Sequence, residues 1–147
     1  MEKIFLVLTL LVSGFGFTES QMVPLSKYME VNNMDEPAVL FYVSARCGAI
    51  NYNMADLSEN RKELYERGIL AGDTFTEMTV MFRQVMNQKD TPQKNRKNSI
   101  DTVTSIANAY VEVMNENYTK TGTHFTDWMI EDLSTCSSIY NQAQKEE

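Results

Sequence analysis

The stretch of sequence that decides the fold is LFYVSARCGAINYNMADL, residues 40–57. Its apolar residues are separated by alternating steps of three and four positions: Leu40, Val43, Cys47, Ile50, Met54 and Leu57. This spacing brings one apolar side chain per turn to a single face of an α-helix. The preceding segment, Asp35-Glu36-Pro37, suits a helix start because acids and proline are favoured in a first turn. The stretch therefore predicts a long helix that packs against a core.

A second set of apolar side chains lies on the flank of the same helix: Ala38, Phe41, Tyr42, Ala45, Ala49 and Tyr52. A helix that is apolar on two sides is usually central, or it offers the second face to a partner. Arginine and tyrosine are enriched in binding hot spots. We therefore take Tyr42, Ala45, Arg46, Ala49 and Tyr52 as a candidate partner-binding face. Two alternatives are that an N-terminal arm covers this face, and that Arg46 only lays its stem over the core with its head in water.

Outside this stretch, helical spacing of apolar residues recurs in three segments. They run over 75–86, 100–114 and 125–140, with N-caps at Asp73 or Thr74, at Asn98 or Ser99, and at Thr123 or Thr126. Residues 58–72 either continue the first long helix or form a short one, and Gly68 and Gly72 weaken the end of this segment. Residues 88–98 contain no apolar side chain and predict an exposed loop. Without long strand alternation or internal repeats, the sequence predicts an all-α fold, a single bundle of four or five helices.

The first twenty residues have the order of a secretory signal peptide. Lys3 is followed by an apolar run from Ile4 to Phe17, and small residues stand at Thr18 and Ser20. An uncleaved anchor is the alternative, but the run is shorter than the roughly 20 residues that span a bilayer. We thus expect an exported protein, periplasmic or secreted, with four parts: signal peptide 1–20, N-terminal arm 21–34 with one helical turn near 25–31, bundle domain 35–141 and polar tail 142–147.

The chain contains two cysteines, and both lie within apolar stripes. Cys47 is in the middle of the first long helix, and Cys136 is in the middle of the last. In an oxidising compartment two such cysteines usually pair, so we predict a Cys47–Cys136 disulfide that makes the two helices neighbours. The alternative is two separate buried thiols that behave as small apolar side chains.

The charge of the chain excludes some classes of partner. Its formal net charge is −7, and removing residues 1–20 leaves it acidic. Nucleic-acid phosphates and anionic membrane surfaces would repel such a protein. We therefore expect no nucleic-acid binding and no stable membrane insertion after cleavage.

Sequence motifs give no support to enzyme chemistry. One histidine, His124, and two cysteines in helix cores do not make a metal-ligand set. Gly-rich phosphate loops and nucleophile elbows are missing. We assign no catalytic residue, no metal and no cofactor. The nine methionines that remain after cleavage fill helical cores or line an adaptable groove, and Met81 is the one best placed for a surface contact.

The segment 42–52, YVSARCGAINY, resembles part of the small exported bacterial helical proteins of unknown function. They carry an Arg-Cys pair and a nearby tyrosine in the first long helix, and a second cysteine near the C-terminus. The resemblance implies export and a helical fold but no activity. Our first hypothesis is a non-catalytic domain that acts by protein–protein binding or self-association in the bacterial envelope. The alternative is a carrier of a small apolar ligand in the periplasm, and an enzyme of unknown chemistry is third.

Overall fold

The computed structural model describes residues 22–145, and these form five α-helices without a strand. The helices are α1 (Leu25–Val31), α2 (Pro37–Asp56), α3 (Lys62–Met86), α4 (Pro92–Thr121) and α5 (Asp127–Ala143). This confirms the all-α bundle. The predicted signal peptide lies outside the described residues. Of the helices that are described, none is both long enough and apolar enough to cross a membrane.

Helix α2 is the centre of the bundle, as its two apolar faces predicted. It packs against each of the other four helices, and every residue from Val43 to Ile50 is buried. Pro37 begins it, where the missing N–H of proline leaves no hydrogen bond unmade. The remaining helices are therefore arranged around α2 as a central, largely buried helix.

Helix α3 is uninterrupted, so the predicted helix start at Asp73 or Thr74 is wrong. The prediction took Gly68 and Gly72 as signs of a helix end. Instead, both glycines let α3 approach α2 closely. A Cβ at Gly68 would lie 2.9 Å from the Cβ of Ala55, and a Cβ at Gly72 would lie 2.7 Å from the ring of Tyr52. Here glycine is required by backbone proximity rather than by a turn.

Helix α4 begins at Pro92. Of the predicted loop over 88–98, only residues 88–91 lie outside a helix, so the prediction is wrong for 92–98 and for a helix start at Asn98 or Ser99. The Thr91 hydroxyl caps this helix by accepting from the Lys94 amide at 3.2 Å. Its first turns are polar and mostly exposed, and ion pairs between Lys94 and Asp90 and between Lys97 and Asp101 support them. Helical turns stabilised in this way have no apolar stripe, so residue spacing in the sequence does not predict them.

The C-terminal helix is attached to the central one by the predicted disulfide, which is confirmed. Cys47 and Cys136 are both fully buried, and their Cα atoms are 5.4 Å apart. Thr126, one of the two N-caps proposed for α5, accepts from the Met129 amide. The short arm helix α1 also has the bounds expected from the sequence.

We predict that removing the disulfide markedly destabilises the fold. The bond joins residues 89 positions apart, and loop-closure entropy assigns a bond of this span about 4–5 kcal/mol as an upper value. Urea unfolding followed by circular dichroism should show a lower free energy of unfolding for Cys47→Ala/Cys136→Ala. Ser134→Ala/Ser138→Ala, on the exposed side of α5, is the control. Equal unfolding midpoints for both double variants would contradict the prediction.

Candidate functional site

The N-terminal arm covers part of the predicted partner-binding face, at Tyr42 and Arg46, whereas Tyr52 packs against α3. Ala45, Arg46 and Ala49 have no exposed surface, so the prediction of a partner-binding face does not hold for these three residues. Tyr42 and Tyr52 are only partly buried. Of the alternatives considered for this flank, coverage by the arm is observed at Tyr42 and Arg46, and the head of Arg46 is buried rather than in water.

The arm is attached through the guanidinium group of Arg46. Its Nη1 donates to the carbonyl oxygen of Val23 at 2.6 Å. One turn away, the ring of Tyr42 packs on that of Tyr28 with centroids 4.5 Å apart, and Leu25 is buried in the core beside them. The arm is thus part of the bundle and not a loose extension.

A buried ion pair lies under the arm. Arg46 Nη2 donates to Asp132 of α5, and neither side chain is exposed to solvent. Asp132 also accepts from the Tyr110 hydroxyl at 2.6 Å and from the Leu25 amide at 2.6 Å. Arg46 Nε in turn donates to the Tyr110 oxygen at 3.0 Å. This Arg46–Asp132 centre therefore joins α1, α2, α4 and α5 at one point.

Aromatic rings surround the guanidinium on several sides. Its central carbon lies 5.7 Å from the ring centroid of Tyr42, 5.7 Å from that of Tyr110 and 5.9 Å from that of Trp128. Such contacts stabilise a cation that has lost its water. Burial alone lowers the pKa of Arg46, but nearby Tyr110, Asp132 and Tyr42 outweigh it and raise that pKa above its ordinary value. Arg46 stays charged in the folded protein.

Because the partners of this centre satisfy one another and water is excluded, we assign it a structural role. Burial raises the pKa of Tyr110 well above its ordinary value, with the Asp132 carboxylate adding to the rise and Arg46 opposing it. A neutral tyrosine and a permanently paired arginine cannot exchange protons with a bound molecule. The site that a ligand can reach must be sought elsewhere.

The candidate site is a cleft between α3 and α5, with α2 at its base. Its volume is about 550 Å³, within the range of ligand pockets. Most lining side chains are apolar, and they come from three helices: Met54, Leu64, Leu70, Ala71, Phe75, Ile130, Leu133, Cys136 and Tyr140. The polar lining residues are Asn51, Arg67, Ser134, Ser137 and Asn141. A small apolar ligand is the alternative hypothesis that the sequence raised, and this lining suits such a molecule.

The cleft exists because α3 and α5 both pack on α2 rather than on each other. Gly68 and Gly72 bring α3 against one side of α2. The disulfide and the Arg46–Asp132 centre hold α5 against another side, and the main contacts of α5 are with α2 and α1. Phe75 and Tyr140, with ring centroids 6.2 Å apart, meet across the gap. The space between α3 and α5 thus follows from how each is attached.

A second cavity, between α2, α3 and α4, has a volume of about 650 Å³ but a different chemistry. Several of its polar groups are paired with one another. The Tyr52 hydroxyl donates to Asp73 at 2.6 Å, and Glu77 forms an ion pair with Arg96. Burial, and then the hydrogen bond to Asp73, raises the pKa of Tyr52. With Asp73, Glu77 and Arg96 occupied by these contacts, this cavity is the weaker candidate.

Comparison with protein-family models, with curated proteins and with solved structures returns no match. Within residues 22–145, no three His, Cys, Asp or Glu side chains are grouped so that they could hold a metal ion. The geometry of the cleft is consequently the basis on which a function can be proposed.

Sequence reasoning missed Asp132, although a signal for it exists. Asp132 stands one turn before Cys136, on the inward face that also carries Met129. An acid at such a position requires a buried cation, and Arg46 directly precedes the other cysteine. Because the disulfide brings Cys47 and Cys136 together, it also brings these two charges together.

We predict that Asp132→Asn lowers the free energy of unfolding by about 3–5 kcal/mol, because it leaves the buried Arg46 charge unpaired. It should also speed proteolysis of the arm, since Asp132 holds the Leu25 amide. Urea unfolding and limited proteolysis measure the two effects. The matched control is Asp127→Asn, the same change at an exposed position of α5, with an expected effect within about 1 kcal/mol. Equal losses in both variants would contradict a structural role for the pair.

We also predict that the protein loses stability as the pH rises above about 10. Because the pKa of Tyr110 is raised by folding, this tyrosine ionises first in the unfolded chain, and its contribution to stability is lost from the unfolded pKa upward. One such group changes the free energy of unfolding by at most about 1.4 kcal/mol per pH unit. Tyr110→Phe should make this decline shallower, and Tyr118→Phe, at an exposed position, should not. Urea titrations between pH 9 and 11 test this, and equal slopes in the two variants would refute it.

Proposed function

We propose that this protein is an exported, non-catalytic helical domain that binds a small apolar ligand in the cleft between α3 and α5. The observation that carries the proposal is the cleft itself, with a volume of about 550 Å³ and a lining that is mostly apolar. Binding sites for small molecules are concave and largely apolar, with a few polar groups that orient the ligand. The cleft has this composition.

Exposed apolar side chains at the cleft supply a driving force for binding. Leu70 is 58% exposed and Ile130 is 55% exposed, and both line the cleft. A ligand that covers them removes apolar surface from water, which contributes about 25 cal/mol for each Å² buried. Since the helices that carry them are attached to α2 independently of any ligand, the site is formed before binding.

The sequence and the disulfide support export. A basic start, an apolar run and small residues near position 20 indicate a signal peptide, and a fully buried disulfide is typical of proteins outside the reducing cytosol. The likeness of residues 42–52 to exported bacterial helical proteins favours the same compartment. We place the ligand-binding domain in the periplasm or the medium.

Protein–protein binding is the second candidate, at a different place from the one predicted. Near the C-terminal end of α3, Met81, Val85 and Met86 are exposed apolar side chains. Met81 is the residue that the sequence favoured for a surface contact. Adaptable methionine side chains suit such contacts, but the pocket that Val85 and Met86 line is smaller, about 440 Å³, and its other lining residues are polar.

The proposal predicts that the protein binds a neutral apolar probe, and that Leu70→Asp weakens this binding about tenfold or more. The probe is N-phenyl-1-naphthylamine, whose fluorescence rises in an apolar site. A carboxylate at position 70 would have to be desolvated by the probe. Titration of the oxidised protein lacking residues 1–20 measures the affinity.

Val85→Asp is the matched control, because Val85 is on the same helix and is 52% exposed but lies outside the cleft. It should leave the affinity unchanged. Circular dichroism checks that both variants are folded. If the wild-type protein does not bind the probe, or if both variants lose affinity equally, the cleft is not the site.

A further inference from the structure

The cleft between α3 and α5 contains one charged side chain, and this residue indicates which apolar ligand the site takes. Arg67 is exposed and lines the cleft. Leu64 stands three positions before it and Ala71 four positions after it, and both line the cleft as well. A cation is therefore set among apolar side chains on the face that α3 presents to the cleft.

The positive charge of Arg67 has no partner within the part of the chain that the structure describes. Arg67 forms no ion pair there, although Glu63 is one turn earlier on the same helix. By contrast, Arg46 and Arg96 are both paired with carboxylates. The five donors of the Arg67 guanidinium are thus available to a ligand.

The charge around the cleft differs in sign from that of the whole protein. The chain has 20 acidic and 13 basic residues, yet none of the described residues that line this cleft is acidic. Aspartate or glutamate beside the apolar lining would repel an anionic head group. An unpaired arginine without neighbouring acids in the lining is complementary to a carboxylate or a phosphate.

We infer that the ligand of this cleft is a single-chain anionic amphiphile, with its apolar chain between α3 and α5 and its acidic head group on Arg67. The inference rests on the function proposed above and adds the chemical class of the ligand. The chain covers Leu64, Ala71 and Phe75, and the head group stays near solvent because Arg67 is exposed. The ion pair between Arg67 and the head group selects among amphiphiles by charge, whereas the apolar lining provides most of the affinity.

The test compares three ligands with the same ten-carbon chain: decanoate, decan-1-ol and decyltrimethylammonium. Each is titrated below its aggregation limit against protein loaded with N-phenyl-1-naphthylamine, and displacement gives the affinity. At pH 7.5 the carboxylate is ionised. Decanoate should bind about fivefold more tightly than decan-1-ol, as expected for one ion pair at a partly exposed position, and decyltrimethylammonium should bind most weakly. The preference should shrink at 0.5 M salt.

Variants of Arg67 separate the head-group contact from the rest of the site. Arg67→Gln should reduce the affinity for decanoate about fivefold and leave that for decan-1-ol unchanged. Arg67→Lys keeps the charge and should retain part of the preference. Lys62→Gln removes an exposed charge from the same helix outside the cleft and should change neither affinity.

The outcomes distinguish the inference from the function on which it rests. If decan-1-ol binds as tightly as decanoate, or if Arg67→Gln affects both alike, the cleft is an apolar site without a choice of charge and the inference is wrong. If the anionic chain is bound only within lipid vesicles and never as free decanoate, the inference is also wrong. If neither the probe nor any of the three ligands binds, the proposed function fails together with the inference.

Discussion

The buried ion pair between Arg46 and Asp132 is the interaction on which the arrangement of this protein depends. Both charges are fully removed from water, so each needs the other, and the cost of separating them is large. The pair also fixes the arm, since Arg46 holds Val23 and Asp132 holds Leu25. A single contact thereby determines where α1 and α5 meet the central helix α2. The disulfide strengthens the same junction one turn farther along α5.

The cleft is a consequence of this junction. Helix α5 is attached to α2 by charge and by a covalent bond, while α3 is attached to α2 by glycines that allow close packing. With each helix attached separately, the surfaces of α3 and α5 that face each other need not interlock. Apolar side chains that would otherwise complete a core, such as Leu70 and Ile130, remain partly in water. The protein thus keeps a packed base beneath an unfilled apolar space, which is the geometry that the proposed ligand binding needs.

Local patterns in the sequence predicted the central helix, the arm helix and the disulfide, because each depends on residue spacing or on a pair of cysteines. The start of α4 could not be predicted in this way, since a cap and exposed ion pairs support it without an apolar stripe. Gly68 appeared to weaken a helix because its close neighbour, Ala55, is not adjacent in sequence. The position of the cleft could not be predicted for a similar reason. Leu70 and Ile130 have the same identity whether they fill a core or border a gap, and only the placement of α3 and α5 distinguishes the two.

The hydrogen bond from the Leu25 amide to Asp132 joins residues 107 positions apart, which determines when the arm can reach its place. Because the arm precedes α5 in the chain, it emerges before α5 during synthesis and during the export proposed above. The arm must therefore wait, without its partner, until α5 has emerged as well. The cysteines face the same delay, yet the described chain has no free thiol and only one way to pair the two it contains. Late closure here carries no risk of an incorrect bond within the molecule.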